Sequence, residues 1–444
     1  MPRIIQIFMV LLTGLMMSFY FHPVLLVAYP VYNTKIMLAI LGAVVLVYRT
    51  IRTKDYSFSK GLLSALMLAG LFSLVCFVAV IINETEDYSY ASYPMSAIVW
   101  IMGAYGAISF IRWTHKRVTI ELVVRYLAGG AAFHSIFSQV MDRNEEVKSF
   151  INSIFFVSSD LDEAGRLYSF GVGLDPAGVR FAVILVMIAG VLTVSKEVRK
   201  STGLIIFYIS SFVIISILGN IISRTTTVGM GLGLFIFAIS TGLYKFVLKV
   251  GKLKIIRVLG VALALGVPST IYYYNTNSSF REQVEYGFEG FFSMAESGEF
   301  QTGSTDVLAT MWIWPEDTQT WIIGSGKIGS RALDNYDYFT DIGYCRFVFY
   351  SGLIGLTLFS IYFIYNGIHF SRYYPRYKYI FLLLIAVTFI IWIKVATDIF
   401  QLYALFYAFT DEEELYASLD DEEEEPQELE PIEEESNPAL MPQA

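Results

Sequence analysis

The sequence predicts an all-α polytopic membrane protein with eleven or twelve transmembrane helices. Apolar runs of about 20 residues, the length that a helix needs to cross a bilayer, recur from one end of the chain to the other. Hydrophobic residues make up 55% of the 444 residues and charged residues only 16%, a balance typical of a chain built mostly of membrane spans. Much of the acid behind the net charge of -9 lies in residues 411–435, so the net charge says little about partners.

Hydropathy places the spans individually. Eleven apolar segments have approximate bounds of 4–22, 34–48, 61–82, 95–111, 118–140, 177–194, 203–222, 228–244, 255–273, 346–366 and 379–397. A shorter apolar segment near 399–410 is a candidate twelfth span. The first segment lacks a small-residue cleavage site, so we expect it to be a span and not a cleaved signal peptide.

The distribution of Lys and Arg predicts a cytoplasmic N-terminus. With that orientation, the cytoplasmic loops carry most of the basic residues, such as those in 49–60 and 245–257. The short external loops hold few, essentially Lys35 and Arg224. We therefore expect the segments that follow the odd-numbered spans to lie on the external side.

Two long segments interrupt the short loops, and both fall on the predicted external side. They are residues 141–176 and about 274–345, and external loops of this size are where soluble chemistry is expected. Residues 1–410 are thus predicted to form one transmembrane domain. The Glu- and Pro-rich tail 411–444 is predicted to be disordered. The cysteines, Cys76 and Cys345, fit neither a disulfide framework nor a metal-ligand spacing.

Arginines cluster near the external boundary of the spans. These are Arg166, Arg180, Arg224 and Arg346. A single boundary arginine is explained by a lipid headgroup or a structural carbonyl contact, but several on one face indicate a site for an anion. Because the planar guanidinium binds phosphate oxygens through two hydrogen bonds, a diphosphate held at the membrane surface is the predicted ligand.

The end of the second long segment, "GSGKIGSRALDNYDYFTDIGYCR" (324–346), combines three kinds of residue. Glycines at 324, 326 and 329 would let the backbone approach a ligand, with Lys327 and Arg331 beside them. The stretch then adds Asp334, Asp337 and Asp341 together with Tyr336, Tyr338 and Tyr344. Cations, carboxylates and tyrosines together suit a sugar attached to a phosphate. The stretch is not a P-loop, because no Ser or Thr follows the lysine.

Three segments resemble the bacterial O-antigen ligase and Wzy-type polysaccharide polymerase superfamily. They are "RLYSFGVGLDPAGVRFA" (166–182), "ISRTTTVGMGLGL" (222–234), and "GSGKIGS" with the following "YFTDIGYCRFVFYSGLIG". The resemblance implies a GT-C-like, metal- and cofactor-independent glycosyltransferase. It would act on undecaprenyl-diphosphate glycans at the outer face of the bacterial cytoplasmic membrane. It also implies that Arg166 and Arg224 contact the donor diphosphate. Arg180, Lys327, Arg331, Arg346 and Tyr344 are the further candidates for substrate binding.

One departure leaves the third cation of the site open. Many members carry an arginine before a tryptophan of the second loop, whereas this chain reads "GSTDVLATMWIW" there. Arg281, Lys327 or Arg331 could take its place. The sequence also leaves open whether a chain-length regulator binds, and it gives no sign of a nucleic-acid partner.

The position of the histidines favours a polymerase over a ligase. Ligases of the superfamily are associated with a histidine in the second loop, and here none of the four histidines lies between 274 and 345. Asp341 is then the candidate to accept the proton of the attacking hydroxyl, with Asp337 and Glu299 in reserve. The alternative role for Asp341 is to cap the tenth span.

A transporter of lipid-linked oligosaccharides is the competing class. A transporter should place charges along a mid-membrane pathway, but most charges here gather at one surface. The exceptions are Arg125 and the pair Lys394 and Asp398, whose i,i+4 spacing predicts that they satisfy each other.

Overall fold

The computed structural model describes residues 3–53, 60–158, 161, 166–242, 253–328 and 340–409. Within these ranges the chain is mainly α-helical, and its strands form a single two-stranded antiparallel hairpin. The acidic tail predicted for 411–444 lies outside them.

The N-terminal half begins with long helices. They are α1 (Arg3–Phe21), α2 (Thr34–Thr53), α3 (Lys60–Ile82), α4 (Tyr93–His115), α5 (Ile120–Arg143), the short α6 (Glu145–Ile154) and α7 (Leu174–Val194). Strands β1 (Leu25–Leu26) and β2 (Tyr29–Asn33) lie between α1 and α2. The hairpin was not predicted, and it holds the first long segment: the Val27 backbone N–H donates to the Ile154 carbonyl, 2.9 Å away.

The C-terminal half contains shorter helices as well. They are α8 (Lys196–Lys200), α9 (Thr202–Ile214), a π-helical turn (Ile215–Gly219), α10 (Asn220–Ile222), α11 (Thr226–Thr241), α12 (Leu253–Thr276), α13 (Ser278–Gly287), α14 (Glu289–Ser297), α15 (Gly303–Thr310), α16 (Thr318–Ile323), α17 (Gly343–Tyr373), a 3₁₀ turn (Pro375–Tyr377), α18 (Lys378–Ile391) and α19 (Phe400–Tyr407). Thus α13 to α16 occupy the second long segment.

Nine helices in the described ranges are long and apolar enough to cross a membrane. They are α1 to α5, α7, the run from α9 through α10, α12 and α17. The prediction of an all-α polytopic membrane protein is therefore confirmed. The other two of the eleven predicted segments are also helical, but α11 has 16 residues and α18 has 14, fewer than a usual span.

Helix α7 lies at the centre of the bundle, because its side chains from Phe181 to Leu192 are all buried. Gly229 on α11 permits close contact with this helix: a Cβ there would lie 2.2 Å from the Cα of Ala182 on α7. Gly229 therefore serves helix packing. This close approach fixes the N-terminal end of α11 against α7.

The candidate twelfth segment forms α19 of only 8 residues, preceded by the non-helical stretch 392–399. Its last turn lies beside the first residues of α3 and the end of α4. The Tyr407 hydroxyl is 3.5 Å from the Gly61 carbonyl oxygen, and Arg112 Nη2 donates to the Ala408 carbonyl at 2.6 Å. Residue 409 therefore lies on the same side of the bundle as Gly61 and Arg112, as a twelve-segment chain requires.

Candidate functional site

A cavity of about 730 Å³ opens where α7 and α11 begin, beneath the helices of the second long segment. This volume is typical of a site for a small ligand. The cavity is lined by Arg166, Asp175, Arg224, Glu285, Tyr286, Glu289, Gly303, Ser304, Val307, Leu308, Met311, Asp341 and Lys394. All three residues predicted to be catalytic, Arg166, Arg224 and Asp341, thus line one cavity.

Arg224 lies in the turn between α10 and α11, so its side chain projects from the end of one helix and the start of the next. The guanidinium makes three polar contacts with the second long segment. Nε donates to the Tyr286 carbonyl at 3.0 Å, Nη1 donates to Ser304 Oγ at 3.1 Å, and Nη2 is 2.7 Å from Glu289 Oε2. Only 15% of the side chain is exposed. These contacts fix the guanidinium in the cavity wall.

Tyr286 connects the two arginines. The guanidinium carbon of Arg224 lies 4.1 Å from the centre of its ring, and that of Arg166 lies 5.4 Å away. Such cation–π contacts hold both side chains while leaving N–H groups available to a ligand. Sequence reasoning missed Tyr286, because the stretch around it matches no motif.

Lys394 is the third cation of the cavity. The sequence had instead suggested Arg281, Lys327 or Arg331 for that place. Its ammonium lies 2.9 Å from Asp175 Oδ1 and 3.0 Å from Thr225 Oγ1. The same Asp175 oxygen also accepts a hydrogen bond from Thr225 Oγ1 at 2.6 Å. The predicted pairing of Lys394 with Asp398 is wrong, because α18 ends at Ile391 and the two residues do not lie on one helix face.

Asp341 lies just before α17 and contacts Arg346 within it. Arg346 Nη2 is 3.3 Å from Asp341 Oδ1, and Arg346 Nε donates to the Thr340 carbonyl at 2.6 Å. The N-cap residue of α17 is Ile342, so the alternative role of Asp341 as that cap is not what the structure shows. Half of the Asp341 side chain is exposed, which leaves its other oxygen accessible from the cavity.

The other predicted binding residues lie apart from this cavity. Tyr344 is half-buried and donates its hydroxyl hydrogen to the Phe389 carbonyl at 2.9 Å. Arg180 faces the interior of the bundle, Lys327 follows α16, and Glu299 is exposed beyond α14. Arg331 and Asp337 lie outside the described residues.

The glycines at 324 and 326 pack against helices of the protein itself. A Cβ at Gly324 would lie 2.2 Å from the Tyr350 carbonyl oxygen, and one at Gly326 would lie 2.6 Å from the Val80 nitrogen. Both have positive φ, of 84° and 67°. The prediction that they bring the backbone close to a ligand is wrong at these two positions, since α17 and α3 occupy that space.

The cavity wall carries nearly balanced charge. Its cations are Arg166, Arg224 and Lys394, and its carboxylates are Asp175, Glu285, Glu289 and Asp341. Two of the three cations are already ion-paired, so an anionic ligand must compete with a carboxylate for Arg224 or Lys394. In the described part of the chain, no three His, Cys, Asp or Glu side chains are arranged to hold a metal ion.

Fold and site together define a multi-span α-helical membrane protein with a charged cavity at one end of its helices. Comparisons with protein families, with curated proteins and with solved structures found no match. The function must therefore be inferred from the chemistry of the cavity.

Proposed function

We propose that this protein is a polysaccharide polymerase with a GT-C-like architecture. It would join oligosaccharide repeat units linked to undecaprenyl diphosphate, at the outer face of a bacterial cytoplasmic membrane. The observation that carries the proposal is that Arg166, Arg224 and Asp341, from three distant parts of the sequence, line one cavity. A leaving diphosphate needs cations and an attacking hydroxyl needs a proton acceptor, and this cavity offers both.

The reaction exchanges one bond at the anomeric carbon of the donor. The acceptor hydroxyl oxygen forms a new bond to that carbon, while the bond between the carbon and the diphosphate oxygen breaks. The diphosphate leaves with the electron pair, and the hydroxyl proton passes to the Asp341 carboxylate. Asp341 suits this role because one of its oxygens contacts Arg346 and half of its side chain is exposed.

Charge on the leaving diphosphate would be stabilised by Arg166 and Arg224. Arg166 has a cation–π contact with Tyr286 and no ion pair in the described part of the chain, so it can bind the diphosphate first. Arg224 must exchange Glu289 for a phosphate oxygen, and the contacts with Tyr286 and Ser304 hold it in place during that exchange. Binding would therefore replace an existing ion pair and not neutralise an isolated charge.

The direct test is an assay of the purified full-length protein with a defined undecaprenyl-diphosphate repeat unit. We expect a ladder of products that grow by one repeat unit at a time, and no ladder with Arg224→Gln. Arg143→Gln is the charge-matched control, since Arg143 is exposed at the end of α5 and does not line the cavity. Transfer to a different acceptor without a ladder would show a ligase, and the absence of any transfer would reject the proposal.

A further inference from the structure

A second group of polar side chains lies inside the bundle, apart from the cavity. We call it the inner cluster: His22, Lys35, Tyr93, Arg180 and Asp398. His22 directly follows α1, Lys35 and Tyr93 belong to the first turns of α2 and α4, and Arg180 lies in the second turn of α7. Asp398 lies near the end of the non-helical stretch 392–399 before α19. Alternating helix directions place these positions at the same end of the bundle as the cavity.

The inner cluster contains buried groups that have no partner. His22 is 1% exposed, and neither of its ring nitrogens makes a hydrogen bond. Tyr93 is 7% exposed, and its hydroxyl lies beside the Asp398 carboxylate and the Tyr362 hydroxyl. Arg180 makes no ion pair or hydrogen bond with another residue in the described ranges. Buried polar groups in native proteins almost always have a partner, so these groups indicate a missing ligand or ordered water.

The histidine beside His22 cannot supply that partner. The rings of His22 and His134 are 4.9 Å apart between centres. Both nitrogens of His134 are already within hydrogen-bond distance of hydroxyls, Ser18 Oγ at 2.8 Å and Ser169 Oγ at 3.0 Å. Both ring nitrogens of His134 therefore have hydrogen-bond partners, whereas both ring nitrogens of His22 have none.

The charges of the inner cluster specify what would bind there. Lys35 has its ammonium 4.3 Å from the centre of the Trp100 ring, and Arg180 is attracted electrostatically to Asp398. Asp398 Oδ1 already accepts the Phe400 backbone N–H at 2.8 Å. Two cations face one carboxylate, which leaves one positive charge in excess. With the His22 imidazole as a further donor, the site suits an oxyanion such as a phosphate group.

The inner cluster and the cavity share two chain segments. Asp175 of the cavity and Arg180 of the cluster both belong to α7, about 7.5 Å apart along its axis. Lys394 and Asp398 belong to the facing stretch 392–399. An anion bound in the inner cluster would therefore lie close to an anion bound in the cavity, at the same end of the bundle.

We propose that the inner cluster is a second binding site for a phosphate-type anion, built on Lys35 and Arg180 with His22 behind them. Its role rests on the proposed polymerase function: the site holds the diphosphate of the second lipid-linked substrate. A polymerase must hold two such lipids at once, the donor and the acceptor. Helix α2 also exposes Ile40, Val44 and Val47 on the side turned away from Lys35, so a lipid tail can lie against the outside of the same helix.

The test measures how many molecules of undecaprenyl diphosphate, without sugar, the purified full-length protein binds. We expect two per chain for the wild type and one for Arg180→Gln. We also expect one for Arg224→Gln, and none when both changes are combined. Arg143→Gln, as the charge-matched control, should still bind two. Lys35→Gln provides an independent variant at the edge of the bundle, and it decides the question if Arg180→Gln does not fold.

Inorganic diphosphate separates the two possible sources of the anion. The proposal is supported if two lipid molecules bind per chain and if displacing them takes at least a tenfold higher concentration of inorganic diphosphate than of unlabelled lipid. If inorganic diphosphate displaces the Arg180-dependent molecule as well as the lipid does, the site serves a free anion and the lipid role is wrong.

A single bound lipid that is unaffected by Arg180→Gln and by Lys35→Gln would overturn the second site. The polymerase assay distinguishes this failure from that of the proposed function. Polymer formation with one bound lipid would reject the inner cluster alone. Two bound lipids without any glycosyl transfer would reject the polymerase and keep the site.

Discussion

The cavity and the inner cluster use the same kinds of side chain in opposite ways. In the cavity, Arg224 is paired with Glu289 and Lys394 with Asp175, at 2.7 and 2.9 Å. In the inner cluster, His22 and Arg180 have no such partners among the described residues. The paired cations hold one geometry without a ligand, whereas the unpaired groups gain hydrogen bonds only when something binds. Catalysis needs the first arrangement and simple binding can use the second.

The largest expected effect tests the cavity directly. Arg224→Ala removes a charge contact that is worth on the order of 4 kcal/mol at an effective dielectric near 20 before screening, enough for at least about a hundredfold loss of rate. We expect Arg166→Ala to act in the same direction. The measurement is the initial rate of polymer formation, with protein amount in the membrane as the control. Near-normal rates in either variant would remove the diphosphate role of that arginine.

The next prediction concerns the proton acceptor. Asp341→Asn keeps the shape of the side chain but cannot take up the proton. We therefore expect the rate of polymer formation to fall about a hundredfold, the lower end of the range for general base catalysis. Asp337→Asn should be milder. In cells, the Asp341 variant should give surface glycan with one repeat unit and no long chains. Bare anchor with lipid-linked polymer would instead indicate a ligase.

A third prediction sharpens the contrast between paired and unpaired charges. Lys394→Met leaves the Asp175 carboxylate without its cation, so we expect lower thermal stability by about 1 kcal/mol, a small value because both side chains are partly exposed. Adding Asp175→Asn should restore most of the stability but not the activity. A purely additive loss in the double variant would show that the two side chains do not act as a pair.

A fourth prediction runs in the opposite direction. Glu289→Gln removes the carboxylate that competes for Arg224, so the protein should bind undecaprenyl diphosphate several times more tightly. Titration of the purified variant measures this change. The variant Glu282→Gln is a matched control, because Glu282 is exposed on α13 and does not line the cavity. Weaker binding by Glu289→Gln would mean that the ion pair is needed to orient the arginine.

The smallest expected effect is that of removing the acidic tail. Truncation after Thr410 should leave the rate of polymer formation unchanged, because the tail has too little apolar content to fold. Both the cavity and the inner cluster lie within the described residues before that point. A truncated protein that inserts normally yet makes no polymer would show that the tail does more than solvate the terminus.

The sequence predicted the helices well because a bilayer selects for apolar length alone. Each of the eleven hydropathy segments overlaps a helix, although α11 and α18 are short. The convergence of Arg166, Arg224 and Asp341 was also foreseeable, since boundary arginines and loop carboxylates are conspicuous in an apolar chain.

The sequence could not show where a helix ends or which side chains from distant segments contact each other in the fold. Lys394 looked like the partner of Asp398 because i,i+4 spacing presumes a continuous helix, but the chain leaves the helix after Ile391. Tyr286 and Glu289 belong to a long segment without a periodic pattern, so only the fold brings them to Arg224. The end of α1 and the beginnings of α2, α4 and α7 meet only in the folded structure, so the sequence did not reveal the inner cluster.

The shortness of α11 has a consequence for the surrounding lipid. Its 16 residues span about 24 Å, whereas the hydrocarbon core of a bilayer is about 30 Å thick. The helix ends firmly at Gly242, whose φ of 82° is left-handed, so it does not continue to make up the difference. We expect hydrophobic mismatch of this size to thin the adjacent bilayer locally. Thinning would bring the headgroup layer closer to Arg224 at the start of α11, and under the proposed function it would shorten the path of a lipid-linked diphosphate into the cavity.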